Sequence, residues 1–328
     1  METRLLRKNE INKFKKLVHF NYKKNHILSK SSRLINFYYN YYNKNKLNIV
    51  GLFNEKKELI ASLGFVPYKN WDRNLNNDCH IAFWVKKKKS TSSLELMQFL
   101  LRKINPLFLA SSGINKKTSG KIFQKFGLIK NFFNYYIKNE HIISKISKNL
   151  SNNFIENFKK KELDMVCSKT VNCIPRTLAK PEKSLLYFKN KYFKNPFYNY
   201  YSMQFFEKKK LKFFFIYRII KVRKLNSTIV RIVDFYGKIK QDHSVFFSIQ
   251  KFLKKNKFEY IDFVNVGLDK ELKNAGFTKK KKYNLIPDLF EPYFEKSTQR
   301  NYCILKNNYK KNIILVKSDG DGDRPNLL

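Results

Sequence analysis

Cysteine is scarce in this chain: Cys79, Cys167, Cys173 and Cys303 are the whole complement. They show no paired metal-ligand spacing, and a 328-residue chain is no small disulfide scaffold. The five histidines are scattered singly, so no metal centre is expected. Long apolar runs are missing too. Nothing approaches the ~20 consecutive apolar residues that span a membrane. The longest candidate, Phe213-Phe-Phe-Ile-Tyr217, is interrupted by Arg218 and is strand-sized. The opening Met1-Glu-Thr-Arg-Leu-Leu-Arg-Lys8 lacks the apolar core of a signal peptide, and a cytoplasmic protein is expected. Acidic residues are the third shortage: 25 against 68 basic ones, for a formal net charge of +43. Such a surface attracts nucleic acid, anionic lipid or phosphorylated small molecules. The lysines, however, run along the whole chain beside abundant Asn, Ile, Phe and Tyr, as A/T-rich coding would write them. They do not gather in one arm. Nucleic acid is therefore not the expected partner, and peripheral contact with an anionic membrane stays open.

What is present is enough to build cores: 43% hydrophobic and 16% aromatic residues exclude wholesale disorder. The most informative stretch runs from Cys79 to Lys138. His80-Ile-Ala-Phe-Trp-Val85 reads as a buried strand. The polar loop Lys86-Lys-Lys-Lys-Ser90-Thr-Ser-Ser93 follows. Leu94, Leu96, Met97, Leu100, Leu101 and Ile104 then recur at helical spacing, with Ser92 or Ser93 as N-cap. Pro106 ends that helix, and Leu107-Phe-Leu-Ala110 reads as a second strand. A second helix, 116–125, stops at Gly127, and 129–137 is expected to close the unit as one strand.

This order resembles the core of the GNAT acyltransferases, in which the loop after the fourth strand binds the pyrophosphate of acyl-coenzyme A. Phe123-Gln-Lys-Phe126-Gly127-Leu128 is similar to that family's tyrosine-x-x-leucine-glycine-phenylalanine signature. Residues 86–93 depart from the family in containing no glycine, whose conformational freedom lets a backbone approach a phosphate closely. Upstream, amphipathic helices over 11–22 and 32–42 precede a hairpin of 47–53 and 59–66. The resemblance thus extends over about the first 130 residues. Residues 67–73, with Trp71, form the loop where that family meets its acceptor.

Residues 144–161 are polar and mark an expected boundary, with one domain over 1–145 and a second over 146–328. The second half repeats the grammar of the first. Strands 211–222 and 227–236 make a hairpin, a helix covers 242–255, and Glu259-Tyr-Ile-Asp262-Phe-Val264 matches Leu107-Phe-Leu-Ala110. Ala275-Gly276-Phe277 stands where Phe126-Gly127-Leu128 stood. The expected architecture is α/β (α+β), two GNAT-like mixed sheets flanked by helices, similar to the tandem arrangement of Fem-type transferases and of acyltransferases from bacterial surface-polysaccharide loci.

The resemblance implies an acyl-CoA-dependent N-acyltransferase, with acetyl-CoA or another acyl-CoA as co-substrate. Its acceptor would be the amine of a small-molecule or lipid-linked sugar. Lys87, Lys88, Ser92 and Ser93 would hold the pyrophosphate, and Tyr135 or Tyr136 would protonate the leaving thiolate. Asp234 and Asp262, carboxylates inside apolar strands, must be paired, hydrogen-bonded or functional, and are the candidate bases. Trp71, Asp288 and Glu291 are substrate-side candidates. The alternative is a noncatalytic binding module for RNA or anionic membrane. The acidic tail, Asp319-Gly-Asp321-Gly-Asp323, places Arg324 where a calcium loop needs glycine, so it is no EF-hand; it is expected to be held by basic or backbone groups.

Overall fold

The computed structural model describes residues 1–40, 45–87, 94–112, 114, 119–125, 127–152, 163–177, 179–240, 243–290, 293–295, 301–307 and 313–325. The chain divides into two compact units. The first comprises 1–130, 301–310 and 319–328; the second comprises 131–300 and 311–318.

The first unit opens with β1 (Glu2–Arg7), α1 (Ile11–Asn21), α2 (Ile27–Lys30) and α3 (Ser32–Tyr39). Phe14, Leu17 and Val18 recur at helical spacing and form the buried stripe of α1. Ser31 caps α3, its hydroxyl accepting from the Leu34 amide at 3.1 Å. β2 (Lys46–Phe53), β3 (Leu59–Pro67) and β4 (Cys79–Lys86) continue the sheet antiparallel. α4 (Leu94–Phe99) runs on as a wider turn through Ile104 and leads to β5 (Phe108–Ser112), which lies parallel to β4. α5 (Ser119–Gln124) and β6 (Leu128–Asn131) follow. Leu96, Met97 and Leu100 pack on Leu63, Cys79, Ile81 and Leu109 to make the core on one sheet face.

The second unit begins with β7 (Phe133–Lys138) and β8 (Asp164–Ser168), then α6 (Leu185–Phe188), β9 (Tyr201–Glu207), β10 (Lys210–Val222) and β11 (Ser227–Gly237). α7 (Ser244–Asn256), β12 (Tyr260–Val266), α8 (Asp269–Asn274) and β13 (Thr278–Lys279) follow. β14 (Leu289–Phe290) and β15 (Tyr293–Phe294) form a short hairpin. β16 (Asn301–Asn307) and β17 (Leu315–Val316) end the described strands. α7 lays Val245, Phe246, Ile249 and Leu253 on an aromatic core that includes Phe205, Phe213, Phe215, Phe263 and Phe277.

The sheet orders are β1-β2-β3-β4-β5-β16-β6 and β8-β9-β10-β11-β12-β7-β13. Position for position they are the same sheet, and β5 and β12 correspond as their sequences suggest. The exception is informative. The segment 129–137 is not one closing strand: it breaks at Phe132, with β6 in the first sheet and β7 in the second. β7 pairs antiparallel with β12, while β16, from the far end of the chain, takes the equivalent slot beside β5. Each unit is thus completed by a strand from the other half of the sequence. A single cut at residue 145 therefore does not describe the units. The polar stretch proposed as a linker contributes residues through 152 to the second unit, with 153–162 outside the described residues.

Candidate active site

Both sheets carry the same irregularity at the same place. In β4, Phe65 pairs with Ile81 and Gly64 with Phe83, so Ala82 is an extra residue, a β-bulge. In β11, Tyr217 pairs with Ile232 and Ile216 with Asp234, so Val233 is the extra residue. The parallel partner separates at that point in each case. β4 pairs with β5 only through Cys79, His80 and Ile81, and β11 with β12 only through Val230, Arg231 and Ile232. Beyond the bulge the parallel pairing does not continue among the described residues, so each junction ends in a wedge.

In the first unit, β4 continues to Lys86 along this wedge, and among the described residues no strand pairs with it there. Backbone N–H and C=O groups need partners when buried, so the edge is suited to an extended chain carrying amides of its own. Lys87 stands at the end of β4. Its amide bonds to the Ile60 carbonyl at 2.8 Å, and its ammonium lies 3.2 Å from Glu58. Lys88, Ser92 and Ser93 lie outside the described residues.

The opposite face of β4 collects polar groups. His80 is fully buried, one residue before the end of the parallel pairing. The tail crosses its ring: a Cβ on Gly320 would lie 2.5 Å from His80 Cδ2, so only glycine passes here. The next residue, Asp321, is buried and accepts from the Tyr39 hydroxyl while pairing with Arg324. Burial pushes the Tyr39 phenol well above its ordinary pKa. Phe83, two residues after Ile81 because of the bulge, meets Phe14 at 5.0 Å and Tyr39 at 5.4 Å. Arg324 also lies 3.4 Å from the His26 ring, whose pKa falls to about 4 through burial and the nearby charges of Arg324 and Lys23. Asp321 of the tail is thus held by the Tyr39 hydroxyl, while its basic partner, Arg324, comes from the tail itself. His80 and Tyr39 were not singled out by sequence reasoning. A lone histidine in a strand carries no spacing signal, and the fold alone brings residues 39, 80 and 321 together.

Most of the remaining candidates lie in the second unit. Tyr135 and Tyr136 lie on β7 and so belong to the second unit. Tyr135 donates to Asp269, and Tyr136 donates to the Ser151 carbonyl at 2.8 Å. Burial, first of all, raises both phenols. They are packed strand residues with satisfied hydroxyls, and they belong to the unit that does not contain β4. Asp262 forms a bidentate pair with Arg231, at 2.9 and 2.6 Å, and Arg231 also donates to the carbonyls of Pro287 and Asp288. All of its reach is spent inside the fold. Asp288 contributes that backbone carbonyl, which Lys317 also engages at 2.9 Å. Asp234, wholly buried, accepts from Lys183 and from Tyr192, each at 2.6 Å, and from the Phe235 amide at 2.7 Å. It is saturated, which corrects its assignment as a free base. Trp71 is buried against Phe37 and Tyr38, at 4.8 and 6.1 Å, and serves packing rather than an open substrate loop. Glu291 lies outside the described residues.

No family model matches the sequence, and no curated protein matches it. Solved structures do. A conserved Enterococcus faecalis V583 protein, described as a probable N-acyltransferase, aligns over 93% of this chain and 73% of its own, at 10% identity and a TM-score of 0.50. A GCN5-related N-acetyltransferase from Anabaena variabilis ATCC 29413 aligns over 92% of this chain and 72% of its own, at 10% identity and a TM-score of 0.51. With a mixed sheet bulged at its parallel junction in each unit, the fold of this chain is that of the GCN5-related N-acetyltransferases.

Proposed function

We propose that the chain is an acyl-CoA-dependent N-acyltransferase whose donor binds in the β4–β5 wedge of the first unit. The observation that carries this reading is that the parallel pairing of β4 with β5 ends at Ile81, beside the bulge at Ala82, on a fold shared with N-acyltransferases. Coenzyme A presents an extended arm with two amides, which suits such an edge as an added strand. The cationic end of β4, at Lys86 and Lys87, suits the pyrophosphate beyond that arm.

In the reaction the acceptor amine attacks the thioester carbonyl. The N–C bond forms, the C–S bond breaks, and the thiolate leaves to be protonated. Backbone N–H groups of β4 at the bulge stabilise the developing oxyanion. His80 takes the proton from the amine. Asp321, held by Tyr39 and Arg324, fixes the polar side of the pocket around His80. The acceptor we favour is an amino sugar, small-molecule or lipid-linked, which rests on the sequence resemblance to transferases of surface-polysaccharide loci.

Calorimetry with acetyl-CoA and longer acyl-CoAs, followed by mass spectrometry of products from a panel of amino sugars, tests the reading. His80→Gln should leave donor affinity unchanged and lower turnover on the order of 10²–10⁴-fold, the usual loss of a general base. No acyl-CoA affinity, together with RNA binding that falls steeply with salt, would replace this reading with that of a binding module.

A further inference from the structure

The wedge in the second unit is built like the one in the first, but the chain itself fills it. β17 takes over the edge of β12 that β11 leaves: Asn265 pairs with Val316 and Val266 with Leu315, antiparallel, and the Lys317 amide donates to the Val264 carbonyl at 3.2 Å. On its other side the same segment pairs with residue 180, the Ile314 amide donating to the Lys180 carbonyl at 3.0 Å. At the apex, the Ser318 hydroxyl donates to the carbonyl of Val233, the bulge residue itself, at 2.5 Å. Residues 313–318 therefore contact both arms of the wedge by main-chain and hydroxyl hydrogen bonds. Beside it, among the described residues, is a cavity of about 10 Å³ lined by Lys180, Lys183, Phe235, Tyr236, Gly237 and Ile314. That holds about one water and no ligand arm.

The buried polar groups of this unit converge on the filler. The Tyr192 hydroxyl donates to Asp234 at 2.6 Å and its oxygen lies 2.7 Å from that of Ser318, and Asp234 is charge-paired to Lys183. Lys191, itself buried, donates to the Ser318 carbonyl at 2.6 Å and to the Tyr187 hydroxyl at 2.7 Å. Close passage is secured from the far side as well: Gly267 has φ +101°, and a Cβ there would lie 2.2 Å from the Ile313 carbonyl oxygen.

We infer that residues 313–318 are a built-in occupant of the second wedge. They take the place of an acyl donor's arm, latched by Lys183, Asp234, Tyr192 and Lys191. The chain therefore binds one acyl donor, in the first unit, and Asp234 is a positioning residue that holds Ser318. The count of one donor rests on the proposed function; the filled wedge does not.

Hydrogen exchange on the full chain, without and with saturating acetyl-CoA, decides the matter alongside native mass spectrometry. The Ile314 and Lys317 amides should exchange about a hundred-fold or more slowly than in a free peptide, and acetyl-CoA should leave them protected while adding one equivalent of mass. Ser318→Ala should speed exchange at Lys317 by about ten-fold and leave β12 protected. Exchange at free-peptide rates, loss of protection on adding acetyl-CoA with two equivalents bound, or no response to Ser318→Ala would each overturn the inference. Protection with no acetyl-CoA bound would uphold the filled wedge and overturn the acyltransferase reading.

Discussion

Asp262 and Arg231 show what a charged pair does inside a sheet. They sit opposite one another on parallel strands, and Phe290 covers the guanidinium at 4.6 Å. Removing one partner of such a pair strands the other in low dielectric, at about 3–5 kcal/mol. Asp262→Asn should accordingly lower the unfolding free energy by that amount in a urea titration, without changing the donor affinity of folded protein. An unchanged midpoint would show the pair to be dispensable. His26 yields a pH prediction. Its Nδ1 accepts from the Leu28 amide at 3.2 Å to start α2, which requires the neutral ring. Its folded pKa, about 4, lies below the unfolded value near 6.5. Below 6.5 the unfolded chain binds the proton first, so stability falls as pH drops from about 6.5 to 4 and is regained above it. His26→Asn, which keeps a capping acceptor without the titration, should flatten the melting temperature across that window.

The bulged strand is the element on which the site depends. Side chains alternate across a strand, so one extra residue at Ala82 keeps His80 and Phe83 on the face of α1 while Cys79 and Ile81 face α4. Deleting Ala82 should restore a regular edge, with Phe83 following Ile81 directly and staying on the face of His80. Donor binding should be lost and the melting temperature lowered, as thermal denaturation with and without acetyl-CoA would show. Retained binding by that variant would remove the bulge from the site. The tail follows the same logic. Asp321 and Gly320 contribute nothing alone, and matter because Tyr39, Arg324 and His80 fix them.

For the whole molecule, the exchanged strands make the two halves interdependent. Residues 1–145 expressed alone would lack β16 and carry β7 with no sheet to join. An unpaired apolar strand edge is an aggregation hazard. We expect each half, 1–145 or 146–328, to be insoluble by itself, and the two to yield soluble complex when co-expressed. A soluble, cooperatively folding 1–145 fragment would contradict the strand assignment. Among the described residues no helix is long and apolar enough to cross a membrane.

The sequence by itself determined the elements and their repetition. Helical spacing marked α1, α3 and α7, each of which buries one face, and apolar runs rich in branched and aromatic residues marked β2 to β5 and β10 to β12, most of them buried on both faces. It also showed the loop at 86–93 to be free of glycine. Only the tertiary structure decided which sheet β7 joins and that β16 completes the other, since pairing partners leave no local mark in the sequence. It likewise decided the fate of the buried carboxylates. The pattern showed that Asp234 and Asp262 needed partners. Lys183 lies 51 residues from Asp234 in the chain and Arg231 lies 31 from Asp262, distances that only folding closes. Residues 313–318 carry the same lesson: an apolar run near the end of a chain looks the same whether it frays or fills a wedge, and the gap left by two diverging strands made the difference.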